Sequence, residues 1–243
     1  MTETTAGACP FRVDRPVMRQ QWQQLTFLHW EFDPAVVNRL LPYWLQPDLF
    51  DGAAWVGLVP FFMRVATRNG RELRWASRFC ETNVRTYVRD QTGRTGIWFF
   101  SLDAARLGAV AVARATYKLP YFWSHMRLTA ADDQVSYYCR RRLPGPRWAT
   151  SGASIEIGDR YQPHQLQARD HFLTARWILF TIFDSRPTMA RAWHEPWPLH
   201  RAKVRQLDDR LVAAAGLPTP QDEPLVHYSP GVDVAIGRPE PGD

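Results

Sequence analysis

A β-rich α+β domain, built on an antiparallel sheet or barrel with a few helices, is the fold the sequence predicts. Short runs of Val, Ile, Thr and aromatic residues recur between Gly, Pro, Asn and Asp turn signals, the pattern of a strand-rich protein. No internal repeat or low-complexity linker divides the chain. Its 243 residues, 45% hydrophobic and 22% charged, suit one domain with a sizeable core and exclude a disordered or collagen-like chain.

Residues 1–20 are polar and interrupted by Pro10 and Pro16, which reads as a flexible lead-in. Gln24 to Trp30 has strand-like composition. Asp33-Pro34 is an N-cap followed by a proline in the first helical turn, and Val36, Val37, Leu40 and Leu41 continue at helical spacing until Pro42. Asp51-Gly52 turns the chain into a long apolar strand, 53–63, where Gly57 and Pro60 suggest a bulge or bend. Asn69-Gly70 signals a hairpin. Strands at 82–88 and 97–102 flank a turn at 90–96, and 104–113 favours a helix. Extended structure resumes over 116–122, followed by a hairpin of 126–129 with 134–140 around Asp132-Asp133. A short strand at 153–157 and a helix at 166–173 come next. Residues 196–211 are expected to form an amphipathic helix with Leu199, Val204, Leu207 and Leu211 as its apolar stripe. The domain therefore spans 21–236, and 237–243, with Pro239 and Pro241, is a loose tail.

Several function classes lose support at once. Cys9, Cys80 and Cys139 are scattered without C-x-x-C spacing, against a disulfide framework or a structural zinc site. The first residues lack the apolar core of a signal peptide, and no stretch approaches the ~18 uninterrupted apolar residues of a membrane helix. A reduced, cytoplasmic compartment without membrane association is expected. His194-Glu195 is followed by His200 across two prolines, so H-E-x-x-H geometry is missing and no metal is expected; the other histidines are dispersed. P-loop, G-x-G-x-x-G and G-x-S-x-G motifs are absent, and no cofactor is expected. The net charge of +6 comes with one basic cluster, Arg140-Arg141-Arg142, and no binding motif, so nucleic acid is not an expected partner. Of 30 basic residues only Lys118 and Lys203 are lysines, which leaves two candidates for amine chemistry.

Two segments carry chemistry. With period 2, Glu81, Asn83, Arg85 and Tyr87 share one face of a strand, and Thr82, Val84, Thr86 and Val88 the other. The polar face is either the solvent side of an antiparallel strand, which the residues alone favour, or the wall of a cavity where Arg85 takes a substrate carboxylate. Farther on, Arg114, Thr116 and Lys118 share a face opposite Tyr117, Leu119 and Tyr121. A desolvated lysine beside a cation is a Schiff-base nucleophile. A solvated edge charge is the commoner role of a strand lysine.

The strings Leu25–Trp30, Leu40-Leu41-Pro42, Phe50–Gly57, Glu81–Val88, Trp98–Ala104, Ala113-Arg114, Tyr117-x-Leu119-Pro120-Tyr121, Phe172–Thr174, His194-x-Pro196-Trp197 and His227–Val234 together resemble the YqjF-like family of uncharacterised proteins. That family is similar in turn to the acetoacetate decarboxylase-like superfamily. The resemblance implies a curved antiparallel β-barrel or cone with a few flanking helices and a polar cavity inside. In acetoacetate decarboxylases a Gly-Arg-Glu-x-x-Gly-x-Pro-Lys segment supplies the imine-forming lysine. Here Arg114 matches the arginine, Ala115 replaces the glutamate, Pro120 matches the proline, and Tyr121 stands where the lysine would be. The decarboxylase mechanism therefore does not transfer. Lys118 is an odd number of residues from Tyr121, on the opposite face of a straight strand. The Glu81 segment resembles the superfamily strand that bears an active-site glutamate, which moves its polar face from solvent towards cavity.

The expected function is that of an enzyme on a small carboxylated or carbonyl metabolite, without a Schiff base. Glu81, Tyr121 and Asp103 are the candidates for handling protons. Arg85, Arg114, Asn83, Tyr87, Tyr117, Lys118 and His29 are the candidates for binding the ligand. The alternative is a non-catalytic binding protein that uses the same cavity. The expected partner is a small anionic molecule, with pairing of protomers left open.

Overall fold

Asp33 accepts the Ala35 amide N–H on its side chain at 2.8 Å, and Pro34 supplies a preset backbone angle, so a short helix α1 (Pro34–Asn38) starts where the cap signal places it. The computed structural model describes residues 7–67, 77–107 and 119–242. Among these, β1 (Met18–Phe32) precedes α1. After it come β2 (Leu45–Pro47), β3 (Ala54–Thr67), β4 (Arg78–Asp90) and β5 (Thr95–Ala104). The chain continues through β6 (Tyr121–Ala131), β7 (Gln134–Leu143), β8 (Thr150–Arg160), α2 (Ala168–Thr174) and β9 (Ile178–Phe183). It ends with β10 (Arg186–His194), β11 (His200–Asp209), α3 (Leu211–Ala214), β12 (Leu225–Ile236) and β13 (Glu240–Pro241).

β12, β1, β3, β4 and β5 form an antiparallel wall whose two outer strands each fork. β5 pairs with β6 at Leu102–Ala104 and with β9 at Ile97 and Trp98. β12 pairs with β11 at His227 and Tyr228, and with β10 from Val234 to Ile236. The sheet thus closes twice, through β6-β7-β8-β11 into a nine-strand barrel and through β9-β10 into a smaller ring. The barrel is mixed rather than purely antiparallel, because β5 runs parallel to both β6 and β9. A parallel neighbour needs a long crossover, which residues 105–120 supply between β5 and β6.

The two faces of the wall feed separate cores. One face, with Leu28, Trp30, Val56, Leu58 and Val84, packs on Val135, Tyr137, Ala153 and Ile155 of the nine-strand barrel. The other, with Phe27, Val59, Phe61, Phe99 and Leu102, packs beneath Leu173 of α2 and beneath Trp197 and Leu199. Burying a wall of strands on both faces puts the side chains in the middle of its central strands out of water, polar ones included.

The expected helix over 196–211 is a strand. β11 pairs with β8, and its register shifts between Val204 and Gln206. Ala202, Val204 and Leu207 all pack on the same core. The extra residue at the bulge widens one period-2 step to three, and that step imitates helical spacing. Gly57 lies in a regular stretch of ladder, and the bulge near Pro60 belongs to the facing strand. There Gln24 takes φ 50°, its carbonyl accepts Tyr137 Oη at 2.8 Å, and its Oε1 accepts Tyr228 Oη at 2.6 Å. Pro60 faces this irregular stretch, where its missing N–H costs no ladder bond. Glu240 and Pro241, in the expected loose tail, pair with β10, and the Gly242 N–H donates to the Pro187 carbonyl at 2.9 Å. Asn69-Gly70, most of the expected 104–113 helix, and Arg114, Tyr117 and Lys118 lie outside the described residues.

Candidate functional site

Glu81, Asn83, Arg85 and Tyr87 stand at alternate positions of β4 and are 2%, 4%, 5% and 0% exposed. Solvent never reaches this polar face, because α2 and the 197–199 segment cover it. Two clusters divide the strip.

At the first, Tyr121, from the start of β6, donates from Oη to Glu81 Oε2 at 2.9 Å. Burial pushes the Glu81 carboxyl up to about 8; the Tyr121 hydrogen bond opposes this, and the nearby Asp103 charge adds to it. Burial, with Glu81 beside it, also drives the Tyr121 phenol well above its ordinary range. Glu81 is therefore a neutral acid at pH 7. One oxygen accepts from Tyr121, and the carboxyl still has a proton to give.

The second cluster surrounds Arg85. Tyr87 Oη donates to the Leu173 carbonyl at 2.7 Å, so towards His29 Nε2, 2.5 Å away, it can only accept. His29 is consequently the Nε2–H tautomer with a bare Nδ1, and that Nδ1 is buried without a hydrogen-bond partner. Burial holds His29 well below the ordinary imidazole range; the Arg85 charge reinforces this, as does His227 when it is protonated. The Arg85 guanidinium lies 5.3 Å from the Phe27 ring centre and 5.7 Å from that of Tyr87. Its polar contacts are long, 3.4 Å to Tyr87 Oη and 3.5 Å to the Leu173 carbonyl, and its Nε has no partner. Among the described residues no carboxylate forms an ion pair with it. Arg176, whose guanidinium lies 5.1 Å from the centre of the same tyrosine ring, is by contrast paired with Asp48 at 2.6 Å.

Gly57 sits in register between His29 and Arg85 on the intervening strand. A Cβ there would meet the His29 ring at 3.0 Å and Arg85 Cγ at 3.6 Å, so the absence of a side chain lets the two close over the strand.

Asp103 is not part of this strip. It points from β5 into the nine-strand barrel, on the opposite side from Leu102 and Ala104. Arg141 donates to both its oxygens at 2.9 and 2.7 Å, and Ser124 Oγ donates at 2.6 Å. With both partners at most 1% exposed, this is a buried structural pair whose acceptors are filled.

Residues the sequence reading passed over complete the enclosure. His227 faces inward from β12 in register with Phe27, its Nε2 3.2 Å from Asp170 Oδ1 on α2. His194 is packed between Trp177 and Trp197. Burial lowers it to about 4, its bond to the Glu195 carbonyl opposes this, and the Arg85 charge lowers it further. Trp55 buries an Nε1–H without an acceptor. A separate groove of about 380 Å³ opens on the other face of the wall, beside Arg19, Gln21, Arg64, Trp193 and Asp233, and shares no residue with the strip.

A forked wall closed into barrels is the acetoacetate decarboxylase-like fold. Solved structures agree. The enduracididine biosynthesis enzyme MppR superposes with a TM-score of 0.65 at 14% identity, covering 93% of this chain and 88% of that one. An acetoacetate decarboxylase gives 0.64 at 14% identity, covering 94% and 90%. An acetoacetate decarboxylase-like enzyme from Sphingomonas wittichii RW1 gives 0.61 at 11% identity, covering 99% of each. These likenesses speak to fold alone. The chain belongs to DUF2071, a family of uncharacterized conserved proteins, whose model matches residues 19–233. Uncharacterized protein YqjF of Bacillus subtilis (strain 168) is 32% identical over 219 residues, which is 90% of this chain and 89% of that protein.

Proposed function

We propose that the protein binds a small carboxylic acid at Arg85 and carries out proton transfer on it with Glu81 and Tyr121, without an imine. The observation that carries this is the Arg85 guanidinium, buried with no carboxylate partner among the described residues. Arginine cannot shed its charge, and a buried ion left uncompensated costs several kcal/mol. A ligand carboxylate removes that cost. Glu81, protonated at neutral pH, gives its proton to the carbonyl oxygen as an enol forms, and the bare Nδ1 of His29 on the same face is the base that takes the carbon proton. Tyr121 occupies one carboxyl oxygen and leaves the other for a ligand. A structural neighbour, MppR, is described in complex with pyruvate, an acid of this class.

The test uses pyruvate in D2O, followed by proton NMR. The expected result is loss of the methyl proton signal faster than in buffer, abolished by Glu81→Gln. Borohydride added to the same mixture should leave no covalent adduct; an adduct on Lys118 would restore imine chemistry and overturn the proposal. One feature favours a second reading, binding without turnover: the residue at the start of β6 is a tyrosine and not an amine. Saturable acid binding with the ligand always recovered unchanged and unexchanged would establish that reading in place of the first.

A further inference from the structure

The acid-binding reading employs one of three unpaired buried acceptors, His29 Nδ1, and leaves the other two unexplained. His29 Nδ1, His227 Nδ1 and Asn83 Oδ1 lie on the face of the wall that carries Arg85, and none has a hydrogen-bond partner. Their residues are 1%, 1% and 4% exposed. A buried acceptor without a donor costs about 1–3 kcal/mol, so three on one surface describe half of a recognition site.

The lone pair on His227 Nδ1 is held in place. Asp170 Oδ2 accepts the Gln167 backbone N–H at 2.8 Å at the start of α2, which aims Oδ1 at His227 Nε2. Burial of Asp170 is outweighed by the hydrogen bonds from His227 and Gln167, which keep it below the usual carboxylate range and hence ionised. An ionised carboxylate can only accept, so His227 presents Nε2–H to it, and the neutral ring leaves Nδ1 bare. His29 reaches the same state through Tyr87. His227 pairs with Phe27 and His29 with Leu225, so the two histidines are diagonal neighbours on adjacent strands, roughly 7–8 Å apart. That separation lets one small molecule meet both rings.

We infer that the acid bound at Arg85 carries a hydroxyl group, that His227 accepts a hydrogen bond from it, and that Asp170 positions His227 for this. A bare alkyl or keto acid fills the anion site and leaves His227 unsatisfied. An ammonium would offer donors too, but the Arg85 charge, which already depresses His29 and His194, opposes a second cation in the enclosure. The class is therefore a keto acid that also carries a hydroxyl group, and lactate and glycerate probe its hydroxyl half. The inference rests on the acid-binding reading.

Calorimetry with propionate, pyruvate, L-alanine, the two lactates and glycerate as probes tests it. Lactate or glycerate should bind at least tenfold more tightly than propionate, since a site built to pair a hydroxyl rejects the analogue that lacks it. His227→Phe should bring the hydroxy acid down to the propionate level. His227→Asn keeps an acceptor near the Nδ1 position and should retain part of the preference, which separates loss of the acceptor from loss of packing. A readout free of substitution comes from protein labelled with nitrogen-15 histidine. His227 should show the Nε2–H tautomer, and its Nδ1 resonance should move with lactate but not with propionate. Equal binding of lactate and propionate, a preference for alanine, an Nδ1–H tautomer, or a preference that survives His227→Phe each overturns the inference while the acid site stands. If none of the acids binds, the acid-binding reading itself fails and takes the inference with it.

Discussion

Glu81→Gln is the perturbation that isolates the buried acid. Gln has nearly the same shape, accepts the same Tyr121 hydrogen bond, and has no titration. In the wild type the folded carboxyl titrates at about 8 against an ordinary value of 4.5, so between those values the folded state holds a proton that the unfolded state has lost. Stability then falls as pH rises: this contribution is fully present below about pH 4.5 and is gone above about 8. One proton over that window corresponds to about 1.4 kcal/mol per pH unit, or about 5 kcal/mol in all as an upper limit. Urea denaturation of both proteins from pH 5 to 9 measures it. The wild type should lose stability relative to Glu81→Gln steadily up to pH 8, and the difference should level off beyond. A difference that stays flat from pH 5 to 8 would mean that Glu81 ionises normally in the fold, and the buried-acid reasoning would be wrong.

Tyr121→Phe removes the bond that favours ionised Glu81, so the same titration should move above pH 8; a downward move would contradict the assignment. Gly57→Ala places a methyl group 3.0 Å from the His29 ring, with an expected loss of about 1–3 kcal/mol and a broken His29–Tyr87 bond, seen as a shift of the His29 resonances in NMR. Asp103→Asn strands the buried Arg141 charge and should cost about 3–5 kcal/mol in denaturant without changing which acids bind; altered ligand preference would put Asp103 back in the site.

What was legible in the sequence followed local periodicity. Alternation alone placed Glu81, Asn83, Arg85 and Tyr87 on one face, and Asp33-Pro34 marked α1. Which face of β4 meets water was not local: it depends on α2 and on Trp197, more than eighty residues further along the chain. Residue chemistry alone pointed to solvent and the resemblance of the Glu81 segment to a cavity; the face is buried. The His227–Asp170 pair joins a strand and a helix that nothing in either segment connects, so His227 read as one scattered histidine. The Gln167-x-x-Asp170 capping box was the available signal, since its carboxylate has a second oxygen free to accept. In β11 the bulge between Val204 and Gln206 broke the alternation and produced a false helical stripe. Asp103 serves the other core, because one step along β5 separates the two.

The central claim is that Arg85 is a buried cation awaiting an acid, and Arg85→Met tests it most directly. Met fills most of the volume and removes the uncompensated charge. Thermal unfolding, with and without lactate or pyruvate, should show a more stable ligand-free protein whose melting temperature no longer responds to either acid, while the wild type is stabilised by them. A less stable variant that still responds to the acids would contradict the account.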